Sequence, residues 1–207
     1  MLNEENYKNK SSSKSSISLK KDGNKYIYIF VTVVIILMVL VGCAASKKSL
    51  PLDAGTQNKM LEGKQKVNVS IQTDKGEMIA ELRPDLMPIT VNNFVKLINM
   101  KFYDGLKFHR VEDMVIQGGD PKGNGTGGPG WAIKLETSSE LKNIKYCIAM
   151  ARSKSPDSAG SQFYILKRDV PQLDGEYAVF GNIIKGQEVV DKIVIGDSMK
   201  SIKLISN

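Results

Sequence analysis

Histidine is almost missing from this chain: His109 is the only one among 207 residues. That scarcity excludes zinc sites made of several histidines, histidine pairs and phosphorelay chains, and any Ser-His-Asp or Cys-His system would have to be built on His109 alone. Cysteine is nearly as scarce, and Cys43 with Cys147 cannot frame a disulfide scaffold. Long uncharged apolar runs are missing after residue 41, which excludes a polytopic membrane protein. Hydrophobic residues at 42% with charged residues at 25% exclude wholesale disorder. Neither a metal nor a cofactor is expected.

The formal net charge of +7 is unevenly placed: residues 1–42 carry +3, residues 43–66 another +3, and residues 67–207 only +1. The near-neutral remainder gives no footprint for nucleic acid, so no nucleic-acid partner is expected. The positive excess instead flanks the one strongly apolar segment.

That segment, Tyr26 to Val41, runs sixteen residues without a charge behind a polar, serine-rich leader containing Lys20, Lys21 and Lys25. It is short for a bilayer span of about 20 residues and fits the apolar region of an export signal. Leu40-Val41-Gly42-Cys43 resembles a bacterial lipobox, whose small residues admit a peptidase and whose thiol accepts the lipid. Residues 1–42 are therefore expected to be a lipoprotein signal peptide and Cys43 the lipidation site. Two or more acyl chains there would anchor the protein to the cell membrane on its extracytoplasmic face. Residues 43–66, with Pro51, Gly55 and Gly63, show no sustained period and read as a tether of on the order of 25 Å reach.

Residues 67–207 form one expected domain, near the common size for a single core. Val67 to Ile71 and Glu77 to Leu82 alternate apolar and polar residues around Thr73-Asp74-Lys75-Gly76, the pattern of a hairpin. Further short strands are expected at Lys107–Val111, Met114–Gly118, Ala132–Leu135, Tyr146–Ala151, Gln162–Leu166, Val179–Ile184 and Ser198–Ile205. Helical spacing appears from Ile89 to Met100, with Thr90 as its cap, and again from Gln187 to Val194. Many short strands with two helices predict a mainly β fold, an antiparallel barrel closed or nearly closed, its ends covered by the helices.

Three motifs point nowhere. Gly123-Asn124-Gly125-Thr126-Gly127-Gly128 matches a dinucleotide fingerprint, but Pro129-Gly130-Trp131 and a strand-like run follow instead of a helix, so it reads as a surface loop. Cys147 lies in an apolar run and reads as a core residue. Ser161 lacks the second glycine of a nucleophile elbow.

What remains is an ordered set of segments: Phe108-His109-Arg110-Val111, Gln117-Gly118-Gly119-Asp120, Gly125-Thr126-Gly127-Gly128, Ala149-Met150-Ala151-Arg152, Gly160-Ser161-Gln162-Phe163-Tyr164-Ile165, Leu173-Asp174-Gly175 and Val179-Phe180-Gly181. In this order the chain resembles the cyclophilin family of peptidyl-prolyl cis-trans isomerases over nearly all of residues 67–205. The resemblance implies an eight-stranded antiparallel closed barrel capped by two helices, and a protein acting on proline-containing unfolded or exported polypeptides. A monomeric state is expected.

Residue by residue, the resemblance implies that Arg110 is the catalytic arginine and that Gln117 helps to hold it and the substrate backbone. Gln162 would line the groove. Met114 and Val115 stand where the family has phenylalanine and methionine, and with Tyr164 and Leu173 they would form an apolar cup for the proline ring. Ala151 and Arg152 match a groove segment that binds peptide through its main chain, and Tyr177 stands where relatives carry histidine. His109 reads as structural. Only six residues separate Arg110 from Gln117, one fewer than usual, and the customary Pro-Gly and aromatic are missing between them. The rival expectation is a module that holds proline-containing segments as a chaperone or scaffold without turnover.

Overall fold

The computed structural model describes residues 61–205. The expected leader, Cys43 and most of the tether lie outside the described residues. Leu61, six residues ahead of the first strand, is buried in the core, so the folded part already includes the end of the segment read as tether.

The chain enters through β1 (Val67–Thr73) and β2 (Gly76–Leu82), paired in register from Val67 with Leu82 to Thr73 with Gly76. Thr73 closes the turn, its hydroxyl donating to the Gly76 carbonyl at 2.8 Å and accepting from the Lys75 amide at 3.1 Å. Helix α1 (Pro88–Asn99) follows and buries Val91, Phe94, Val95 and Ile98, a helical stripe. It does not begin at Thr90. Pro88 opens the helix, where a missing N–H costs nothing, and the orphan amides of Ile89 and Thr90 donate to the Glu136 carboxylate at 3.2 and 2.9 Å. A cap supplied 46 residues away cannot be read from local sequence. Phe94 then packs on Tyr103, Phe163 and Phe180 with ring centroids 5.0 to 5.4 Å apart, which ties the helix to the sheet interior.

The remaining strands are β3 (Arg110–Glu112), β4 (Val115–Gly118), β5 (Cys147–Met150), β6 (Phe163–Leu166), β7 (Val179–Lys185) and β8 (Met199–Ile205), with α2 (Gln187–Lys192) between the last two. Together they form one eight-stranded antiparallel sheet in the order β3-β4-β6-β5-β7-β2-β1-β8. Among the described residues the fold is mainly β, with eight strands and two α-helices as expected, but no ladder joins β3 to β8, so "closed barrel" overstates it. The seam is bridged by the stretch ahead of β3: Gly105 and Phe108 donate to Met199 and Asp197 carbonyls at 2.7 and 2.9 Å, and Met199 donates back to Leu106 at 2.8 Å. Only the end of the expected strand Lys107–Val111 therefore belongs to the sheet. Ala132–Leu135 is not a strand either. Ile133 makes one isolated bridge to Ala159, and the partner segment then turns away through Pro156–Ser158.

Candidate active site

Strand periodicity builds the site. Across β3, β4, β6 and β5 the register aligns Arg110, Gln117, Tyr164 and Ala149 in one row, and Glu112, Val115 and Leu166 in the next. Because residues two apart share a face, Gln162 and Ala151 continue this same side, while Ile116, Phe163, Ile165 and Ile148 point into the core. A slip of one residue would turn the whole set inward. The six-residue spacing leaves Asp113 and Met114 as a two-residue turn. The Met114 carbonyl accepts the Lys167 amide at 2.9 Å, which fastens the hairpin tip beside β6.

On this face lies a cleft of about 210 Å³, below the usual range for drug-sized ligands and suited to one small side chain. Arg110, Met114, Val115, Gln117, Ala151, Arg152, Tyr164, Leu173 and Tyr177 all line it, as does Leu166, which sequence reasoning missed. Its parity with Tyr164 and Val115 was the available signal. Gln162 does not line this cleft. It lies in a neighbouring groove of about 700 Å³, bounded by the glycine-rich loop and Trp131, which shares Ala151 and Arg152 with the first.

A polar chain crosses the site. The Arg110 Nε and Nη2 groups donate to the two carboxylate oxygens of Glu112 at 2.7 and 2.9 Å, and Nη1 donates to Gln117 Oε1 at 3.1 Å. Gln117 Nε2 donates to Gln162 Oε1 at 2.9 Å, and Gln162 Nε2 donates to the Gly125 and Gly127 carbonyls at 3.0 and 2.9 Å. The loop itself hangs on buried Asp120, whose carboxylate accepts the amides of Lys122, Asn124 and Gly125. Burial would raise the Asp120 pKa, but these three bonds outweigh it and hold the carboxyl below its ordinary value. Gly127 is required here, since a Cβ would fall 1.9 Å from Asp120 Oδ1. The glycine run is thus a loop tied to the groove, as its flanking residues indicated. The Glu112 hydrogen bonds raise the already high pKa of Arg110, so its charge is permanent.

The apolar wall is equally fixed. Tyr164 is buried, its ring edge-on to Tyr177 with centroids 5.9 Å apart, and Arg152 lies over the Tyr177 ring at 4.7 Å while donating to the Glu176 carbonyl at 2.9 Å. The Tyr164 hydroxyl donates to Asn143 Oδ1 at 2.7 Å, and Asn143 is held in turn by Asp174. Burial pushes the Tyr164 pKa far above its ordinary value, so it acts as a neutral donor. Tyr164→Phe should leave Asn143 Oδ1 without its hydroxyl donor and cost about 1–3 kcal/mol in urea unfolding. His109 does not line the cleft, and its imidazole nitrogens are enclosed without a hydrogen-bond partner. Cys147 is buried and its thiol is pushed up to about 12, chiefly by burial, which makes it inert as a nucleophile.

The site is thus a small cleft on one face of an antiparallel sheet, with apolar side chains around a guanidinium at its rim. Residues 68–206 match the family model for cyclophilin type peptidyl-prolyl cis-trans isomerase. A peptidyl-prolyl cis-trans isomerase of Helicobacter pylori is 44% identical over 142 residues, covering 67% of this chain and 86% of that protein. Peptidyl-prolyl cis-trans isomerase B of Bacillus subtilis is 42% identical over 132 residues, covering 63% and 92%. The crystal structure of a cyclophilin type peptidyl-prolyl cis-trans isomerase from Cryptosporidium parvum superposes with a TM-score of 0.65 at 32% identity, covering 69% of this chain and 99% of that one. This chain belongs to the cyclophilin-type peptidyl-prolyl cis-trans isomerases.

Proposed function

We propose that the cleft seats the ring of a proline and that Arg110 accelerates rotation about the preceding X-Pro bond. Amide resonance sets a barrier of about 18–20 kcal/mol, so the free reaction takes tens to hundreds of seconds. Lowering that to about a millisecond requires roughly five decades, or about 7 kcal/mol. No bond breaks, so no nucleophile is needed, only a surface that favours the twisted amide over either planar form. Twisting localises the lone pair on the prolyl nitrogen, and a fixed donor there gains in the transition state. The carrying observation is the guanidinium of Arg110 held at the edge of an apolar cleft that Met114, Val115, Tyr164 and Leu173 enclose. The Cryptosporidium parvum relative has also been crystallised in the presence of the dipeptide Ala-Pro, which supports a proline-containing ligand here. The test is an isomerisation assay with an X-Pro peptide; Arg110→Ala should abolish most of the acceleration. A module that only holds its ligand would bind the peptide without changing its rate of exchange.

The second part of the proposal is where the activity acts. The uncharged run before Leu40-Val41-Gly42-Cys43 and the lysine-rich leader support an exported protein anchored through lipid on Cys43, helping exported or cell-surface chains to fold. Among the described residues no helix is long and apolar enough to cross a membrane. Mass spectrometry of the native protein should find an amino-terminal peptide beginning at a diacylglyceryl-modified Cys43; an intact Met1 with a free thiol at residue 43 contradicts the anchor.

A further inference from the structure

The Arg110 guanidinium has five N–H groups, and the structure commits three of them to protein acceptors. Glu112 takes two in a side-on pair and Gln117 takes one, which leaves two for a substrate. The two acceptors come from different strands. Gln117 faces Arg110 across the β3-β4 ladder, whereas Glu112 lies two residues further along β3 on the same face. The short Asp113-Met114 turn fixes this arrangement, because it sets Glu112 directly opposite Val115.

We propose that Glu112 is a positioning residue for the isomerase reaction: its carboxylate locks the plane of the Arg110 guanidinium so that the two uncommitted donors face the cleft. This inference rests on the reading of Arg110 given above. Both partners are about half exposed, 46% and 50% by side chain, and a pair so wet adds little to folding. Its value lies in geometry. A long arginine side chain at an exposed rim samples many rotamers, and a bidentate carboxylate restricts it to one. Gln117 alone, a neutral acceptor with a single bond to Nη1, leaves the plane free to rotate. Glu112 does not line the cleft itself, so it acts through Arg110 and not on the peptide.

The experiment is a double-mutant cycle on the full chain with an X-Pro peptide as probe, comparing wild type, Glu112→Ala, Glu112→Gln, Arg110→Ala and the Arg110→Ala/Glu112→Ala double variant. Glu112→Ala should lower kcat about fivefold, the upper end of what an exposed ion pair is worth, with KM and the unfolding midpoint unchanged. Glu112→Gln, which keeps one acceptor, should fall between. Added salt should slow the wild type and leave Glu112→Ala unaffected, since screening acts on the pair. In the Arg110→Ala background the Glu112 change should have no effect. Glu112→Ala with wild-type or higher kcat, a change in KM alone, or an equal loss with and without Arg110 each overturns the proposal. Wild-type activity in Arg110→Ala alone would instead overturn the reading of Arg110 on which it rests.

Discussion

Arg110→Ala is expected to lower kcat/KM for an X-Pro peptide by about 100- to 1000-fold, the loss seen when one preorganised donor is taken from a developing charge. That corresponds to roughly half of the approximately 7 kcal/mol that the acceleration requires. The other half is assigned to the apolar cup, which removes water from the amide and favours its twisted, less polar form. Arg110 is half exposed, so its loss should leave the unfolding midpoint in place, and a fall in activity can be read as chemistry. Arg110→Lys separates charge from shape. A lysine keeps the cation but not the planar fork that engages Glu112 and Gln117 together, and its activity should lie between alanine and wild type.

Asp120→Ala is expected to produce the largest loss of stability among site-linked changes. Three amides lose a charged acceptor; water can reach them in part, so a cost of about 3 kcal/mol is expected out of a total near 5–15 kcal/mol. The glycine-rich loop should loosen, and with it the carbonyls of Gly125 and Gly127 that hold Gln162 against Gln117. Activity should therefore fall along with stability. The pH dependence has a definite sign. The folded pKa of Asp120 lies below the ordinary 3.8, so the unfolded chain binds the proton more readily. This contribution is complete above the ordinary value and is lost as pH falls through the folded one. Urea unfolding in acid should show that decline for the wild type and a smaller one for Asp120→Asn.

Much of the site was legible because short segments resemble the family's motifs, which is how Arg110, Gln117, Gln162, Tyr164 and Ala151 were each identified. The ladder register places Arg110, Gln117 and Tyr164 on a single face, and the two-residue period of the strands carries that face on to Gln162 and Ala151. The features that were not legible depend on partners distant in sequence or on turn geometry. Asn143 as acceptor for the Tyr164 hydroxyl lies 21 residues away, in a loop without regular structure. Glu136 as the cap of α1 belongs to another such loop. The alternation at Ala132–Leu135 is that of a strand, but the segment makes only one bridge, from Ile133 to Ala159. The seam between β3 and β8 was equally hidden, since it is spanned not by a strand but by the loop preceding Arg110–Glu112, through its bonds to residues 197–199.

The account depends on peptide binding and amide rotation occurring at the same place. Nuclear magnetic resonance exchange spectroscopy on an X-Pro peptide with substoichiometric protein, combined with amide shift mapping, tests this directly. The predicted result is accelerated exchange between the cis and trans signals, with perturbed amides confined to 110–117, 149–152, 162–166 and 173–177. Acceleration with the perturbed amides elsewhere, or binding at these residues without exchange, would contradict it.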